Sequence, residues 1–351
     1  MSRRAAVTAA VLAYAGLACA GLACAGLIAG CGSQPTGVTG AGPPPLTAPL
    51  PTSLVTAQGT WAVAVMGGAD NRFWQLFFRP ATGDRWSLVT PQGVADNGGL
   101  VDAGLADTSG AIAVGPSGRT LSLLQDGTIE TAPTAGSAAA GQWAPLTTFK
   151  ALAASAPGRS CGLEGVTAVS FGPNQYPMAA GSCARPGAAG VFTDAGGTWR
   201  SAGLTLPTGG RVRVLGLTAI PGGNAALLAV GNSLLAAWWD GTRWTVSAPV
   251  TADGVRALGF GPGESAWLLQ PGGRAESIAG AAGSTWRALP PVPAGTEVLA
   301  PAATGTAAPG TSGSYDALAV AGSRLTVWRL AQGAWAKVQQ VSVPLQYGSS
   351  G

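Results

Sequence analysis

A tryptophan that follows a glycine-containing turn recurs six times along this chain, at Gly83-Asp-Arg-Trp86, Gly141-Gln-Trp143, Gly196-Gly-Thr-Trp199, Gly241-Thr-Arg-Trp244, Gly283-Ser-Thr-Trp286 and Gly333-Ala-Trp335. Successive tryptophans stand 57, 56, 45, 42 and 49 residues apart. A period of that size means one supersecondary unit per repeat, too small to bury its own apolar face and completed by its neighbours. The clearest unit, 253–290, reads VRALGFG, SAWLLQ, AESIAGA and TWRALPP between Gly/Pro turns, four short strands in about forty residues. The unit before it repeats the order as VRVLGLTAI, NAALLAVG, LLAAWWD and RWTVSAP.

Four antiparallel strands that are apolar on both faces need cover on both faces. Radial stacking of such sheets supplies it, which predicts an all-β chain folded as a β-propeller over residues 51–351. The tryptophans count six blades, and the tail after Trp335 leaves room for a seventh. A pair of β-sandwiches is the other architecture open to so many short strands, but a regular period favours the ring. No helix-period segment stands out after residue 30, and the six tryptophans are expected in the core.

Composition removes whole classes of chemistry. There is no histidine among the 351 residues, so imidazole bases, Ser–His and Cys–His nucleophile pairs and imidazole metal sites are excluded. The formal charge is +4, but Arg3 and Arg4 lie in the first thirty residues and the remainder is nearly balanced. That leaves no clustered basic footprint for nucleic acid.

The N-terminus reads as an export signal over residues 1–30: a basic start, a long Ala/Leu/Val/Gly run, then small residues. The run ends in Leu27-Ile28-Ala29-Gly30-Cys31, which resembles the lipobox of bacterial lipoproteins. The resemblance implies cleavage before Cys31, lipid with palmitate-type acyl chains on that cysteine, and a place on the extracytoplasmic face of the cell membrane. An uncleaved signal anchor is the alternative, since about 25 apolar residues could span a bilayer. Residues 31–50, rich in Pro, Gly and Thr, read as a tether.

Cys19 and Cys24 fall within the signal. With Cys31 used by lipid, Cys161 and Cys183 remain as an even pair in an oxidising compartment, where a disulfide is the ordinary outcome. The strands between them form a hairpin that can bring the ends together. A two-thiol metal or redox site would need further ligands or Cys-x-x-Cys spacing.

The run Asp194-Ala-Gly-Gly-Thr-Trp199 resembles the Asp-box of sialidase-type propellers. Ala81, Trp239 and Ala281 stand at the equivalent place in three other units. The resemblance implies a structural turn between third and fourth strands, on the end of the ring away from the ligand site.

A sialidase would also need an arginine triad and a Tyr/Glu pair. Tyr176, Tyr315 and Tyr347 are the tyrosines after the signal, and none has an acidic neighbour in sequence that would complete such a pair. A hydrolase using two carboxylates in the central channel stays open as the competing reading. Calcium-loop, phosphate-loop and zinc spacings are missing, so neither cofactor nor metal is expected.

One positional pattern points to binding. Arg72, Arg119, Arg185, Arg274 and Arg324 are each read at the turn between second and third strands of a unit, with Asn232 in the remaining one. Residues repeated in phase form a ring, so these five predict a cationic rim at the channel mouth. The alternative is a soluble turn residue copied with the repeat. The sequence thus leads to a non-enzymatic, monomeric binding or scaffolding module, held to the membrane by lipid and facing an envelope protein or glycan.

Overall fold

The structure is a computed structural model that describes residues 50–55, 60–68, 71–80, 87–89, 112–124, 126–207, 209–280, 285–302, 314–322 and 324–342. The signal, Cys31 and almost all of the tether lie outside the described residues. The chain is an all-β β-propeller. Its strands fall into successive sheets, 50–89, 112–147, 163–205, 212–251, 257–288 and 296–342, each built of four strands in chain order. The third and fourth add a short strand, Leu204–Thr205 and Val250–Thr251, beside their third strands. We number the sheets one to six. Five of them, from Ile112 onward, are blades whose side chains are described on all four strands. Six blades were expected, and the count differs: five are described in full, while on the strands of sheet one side chains are described at Trp61, Phe77, Phe78, Arg79, Ser87 and Val89 alone.

All pairings are antiparallel, so turns alternate between the two ends of each sheet. The first strands contact one another in sequence: Ile112–Val114 meets Leu163–Phe171, which meets Val212–Ile220, then Ala257–Phe260, then Thr296–Pro301. Thr296–Pro301 contacts Leu50–Val55, and that strand touches Ile112–Val114 again. We call the end where first strands begin the entry face. The turns between second and third strands and the connections between sheets lie there. Turns joining first to second and third to fourth strands lie on the opposite face.

The core sits between sheets rather than within them. One cluster joins Trp61 and Phe78 of sheet one to Leu124, Ala132 and Trp143 of sheet two. The next joins Leu121 and Ile129 to Phe171 and Phe192, and another joins Met178 and Val191 to Val214 and Leu228. Trp238 and Leu268 share the seam between sheets four and five. Phe77 of sheet one lies in the cluster built by sheets five and six. Each turn tryptophan packs into the seam with the sheet before it: Trp143, Trp199, Trp244, Trp286 and Trp335. Two reach further, the indole N–H of Trp244 donating to the Ala202 carbonyl at 3.2 Å and that of Trp335 to the Pro290 carbonyl at 3.4 Å. Trp86 lies outside the described residues.

A charged pair joins the second and third strands of sheet six, close to sheet one. Arg329 donates from Nε and Nη2 to the two carboxylate oxygens of Asp316, both at 2.8 Å. The Asp316 side chain is only 4% exposed. Hydrogen bonding to Asp316 raises the pKa of Arg329. Arg79, at the end of a strand in sheet one, lies close enough to feel the same carboxylate; burial lowers its pKa and the Asp316 charge raises it.

Three short helices depart from the helix-free reading: Ala135–Ala139, Phe149–Ala154 and Ala156–Cys161. At five or six residues they are too short to show helical periodicity. Their caps carry the signal instead. The hydroxyls of Thr134, Thr148 and Ser155 accept from the N–H groups of Ser137, Ala151 and Gly158, and Gly162 ends the last helix in the left-handed region at φ 67°.

Replacing Asp316 by Ala removes the acceptor of two charge-assisted hydrogen bonds within sheet six and leaves the partly exposed Arg329 without it. We expect a loss of about 1.5–3 kcal/mol, read as a lower urea midpoint. A change below about 0.5 kcal/mol would mean that the pair does not stabilise this sheet.

Candidate binding face

The turn arginines divide between the two faces. Arg185 follows Pro177–Cys183, Arg274 opens Arg274–Ile278, and Arg324 opens Arg324–Ala331; all three are exposed between second and third strands. Arg72 stands at the same turn of sheet one, opposite Gly67 in the strand register. Asn232 occupies it in sheet four. Arg119 does not belong to this set. It lies between Ile112–Val114 and Thr120–Leu123, the first and second strands of sheet two, and so on the opposite face. There its Nε donates to Thr131 Oγ1 at 3.1 Å.

Nor do the arginines converge on the channel mouth. A turn between second and third strands stands roughly 5–10 Å outside the first strand. The mouth is bordered by the beginnings of the first strands, and two ion pairs cross it. Arg211 donates to Glu164 Oε1 at 2.9 Å, joining sheet four to sheet three. Arg256 pairs with Glu297, joining sheet five to sheet six. Arg213 is exposed beside them. Glu297 is the extra residue of a β-bulge, since Thr296 pairs with Ala319 and Val298 with Leu318. A bulge re-aims its side chain. Thr167 is the bulged residue of Leu163–Phe171, and its hydroxyl donates to the Val214 carbonyl in the next sheet.

Sequence reasoning missed these groups because each pair spans 41 or 47 residues. A signal was present: a charged residue among apolar ones at the start of successive first strands, in Leu163-Glu-Gly, Val212-Arg-Val, Val255-Arg-Ala and Thr296-Glu-Val.

The Cα atoms of Cys161 and Cys183 are 5.4 Å apart and their sulfurs are at bonding distance. The two residues bring the end of helix Ala156–Cys161 beside the second strand of sheet three, on the entry face. On the opposite face, Asp194 Oδ1 accepts from the Gly197 N–H at 2.6 Å, between third and fourth strands. Asp240 forms the corresponding turn of sheet four, one place later in sequence. Its Oδ1 accepts from the N–H groups of Thr242 and Arg243 at 2.8 and 2.9 Å. The Thr242 hydroxyl bond and then these two N–H bonds lower its pKa to about 2.

Among the described carboxylates at the mouth, Glu164 and Glu297 each face an arginine rather than one another. Glu130 is placed differently. It is 3% exposed in Ile129–Ala132, on the sheet-two face that carries Ala132 toward sheet one. Its strand partner Ser122 is fully buried, and among the described residues neither Glu130 Oε2 nor Ser122 Oγ has a hydrogen-bond partner. Burial raises the Glu130 pKa, the Asp126 charge adds to it, and together they bring it to about 7.

No family model and no curated protein matches this chain. Among solved structures, a candidate 6-phosphogluconolactonase from Bacteroides uniformis ATCC 8492 is similar at 16% identity, with 86% of this chain and 89% of that one covered and a TM-score of 0.47. YCF48 bound to D1 peptide is similar at 15% identity over 84% of this chain and 82% of that one, TM-score 0.44. The β-propeller domain of the Trilobed protease from Pyrococcus furiosus is similar at 6% identity over 84% of each chain, TM-score 0.43.

A prediction follows from Glu130. Its folded pKa of about 7 lies above the ordinary 4.5, so the folded state holds the proton more tightly than the unfolded chain. The resulting stabilisation is complete below pH 4.5, declines as pH rises toward 7, and is gone above it; its size is about 3 kcal/mol. Glu130→Gln should flatten this fall in urea unfolding between pH 5 and pH 8. An unaltered pH dependence in the variant would contradict the assignment.

Proposed function

We propose that this chain is a lipid-anchored extracytoplasmic β-propeller of six blades that works as a binding module, with its entry face as the surface that meets an anionic partner. The observation that carries the reading is the repetition in phase of exposed Arg185, Arg274 and Arg324 at one turn of three sheets. Equivalent positions in successive blades are related by rotation about the ring axis, so cations repeated in this way share one face. The anchor rests on the Ile28-Ala-Gly-Cys31 box. The six-blade ring is supported by the cyclic order of first-strand contacts, and a Cys161–Cys183 disulfide by the distance between the two residues.

The arginines are turn residues outside the packed seams, so replacing them should alter stability by less than about 0.5 kcal/mol each. The mature chain should be retained on immobilised poly-glutamate and eluted by salt. Replacing Arg185, Arg274 and Arg324 together by Ala should halve the eluting salt concentration while the melting temperature stays within a few degrees. Elution at the same salt by both proteins would refute the binding face. The intact mass of the mature chain tests the covalent features: it should show acyl groups on Cys31 and two hydrogens missing at Cys161 and Cys183. An unmodified Cys31 would refute the anchor.

A further inference from the structure

Strand Leu50–Val55 is the first strand of its sheet, so the chain enters the propeller on the entry face. The tether before it therefore leaves from the face that carries the turn arginines. We propose that the partner of this face is the anionic lipid surface to which Cys31 anchors the chain, so that the propeller lies with its entry face against the membrane. This rests on the lipid anchor and binding face proposed above.

Charge on the two faces supports it. Over sheets three to six and the connection leading into them, the entry face carries Arg185, Arg211, Arg213, Arg256, Arg274 and Arg324, with Lys150 and Arg159 beside the short helices. The described carboxylates there are Glu164, Asp253 and Glu297, two of them paired with Arg211 and Arg256. On the opposite face of the same sheets, Arg200, Arg243, Arg287 and Lys337 stand with Asp194, Asp240 and Glu264. Among the described residues of this arc, the excess positive charge is larger on the entry face. Asp126 lies on the entry-face turn of sheet two. Asp70, Asp96, Asp102 and Asp107 lie outside the described residues.

Distance makes the contact self-consistent. Eighteen residues, the length of segment 32–49, span about 60 Å even when fully extended, so the face stays near the bilayer at an effective concentration of the order of millimolar. Each cation close to an anionic surface strengthens binding by about fivefold, and the effect fades within a Debye length of roughly 8 Å. A face with several exposed cations, held that near, needs no pocket to stay docked.

The test uses the lipidated mature chain in vesicles of phosphatidylcholine alone or with 30% phosphatidylglycerol (a composition chosen to be roughly that of a strongly anionic leaflet). Arginines are modified with phenylglyoxal and read residue by residue by mass spectrometry. With phosphatidylglycerol present, labelling of Arg185, Arg274 and Arg324 should fall about fivefold or more, and high salt should restore it. Labelling of Arg200, Arg243 and Arg287 should not change. Equal labelling of the entry face in both vesicles would overturn the proposal, as would protection of the opposite face. Protection by added poly-glutamate but not by anionic vesicles would also overturn it, and would assign the face to an acidic macromolecule while leaving the binding face intact. A chain that does not float with either vesicle would overturn the anchor, and this proposal with it.

Discussion

Packing between neighbouring sheets is the interaction on which everything else in this molecule depends. Strands such as Pro177–Cys183 and Gly223–Val230 are buried on both faces along most of their length. A single four-stranded sheet cannot supply that cover. The seams supply it, and the five between consecutive sheets each receive the turn tryptophan of the later sheet. Because burial of apolar surface is the main favourable term in folding, a sheet here is stable only as part of the series. The last sheet then has a free side unless it meets the first. Phe77 packs in the cluster of sheets five and six at that meeting point, and the charge of Asp316 in sheet six reaches Arg79 of sheet one.

The same repetition that closes the molecule also sorts its charge. With every sheet running in the same sense, one kind of turn always falls on one face. A residue type favoured at that turn is then multiplied around the ring without any pocket being built. The opposite face follows another rule: Asp194 and Asp240 spend their carboxylates on the N–H groups of their own turns. One face stiffens the blades and the other gathers cations, and the chain enters the propeller on the second.

The strand pattern was legible because alternation and turn residues are local. The tryptophan spacing located the sheets and the Gly/Pro turns separated their strands. Arg119 was misplaced because the strands of its unit, Ile112–Val114, Thr120–Leu123 and Ile129–Ala132, are only three or four residues long and do not reveal their order in the sheet. Part of that unit's length is taken up by helix Ala135–Ala139, between third and fourth strands. The ion pairs Glu164–Arg211 and Arg256–Glu297 were out of reach because their partners meet through the curvature of the ring. Glu130 was equally hidden, since its burial depends on sheet one lying across sheet two.

The central claim is that the sheets form one closed ring, so that the entry face exists only when first and last sheets are joined. Native-state hydrogen exchange tests it most directly. In a closed ring, the amides of Thr60–Gly68 and Tyr315–Ala321 should open together at one free energy, and Asp316→Ala should lower both by the same amount. Rapid, unprotected exchange of Thr60–Gly68 while Tyr315–Ala321 remains slow would show that the first sheet is not part of the ring, and the account would fail at its foundation.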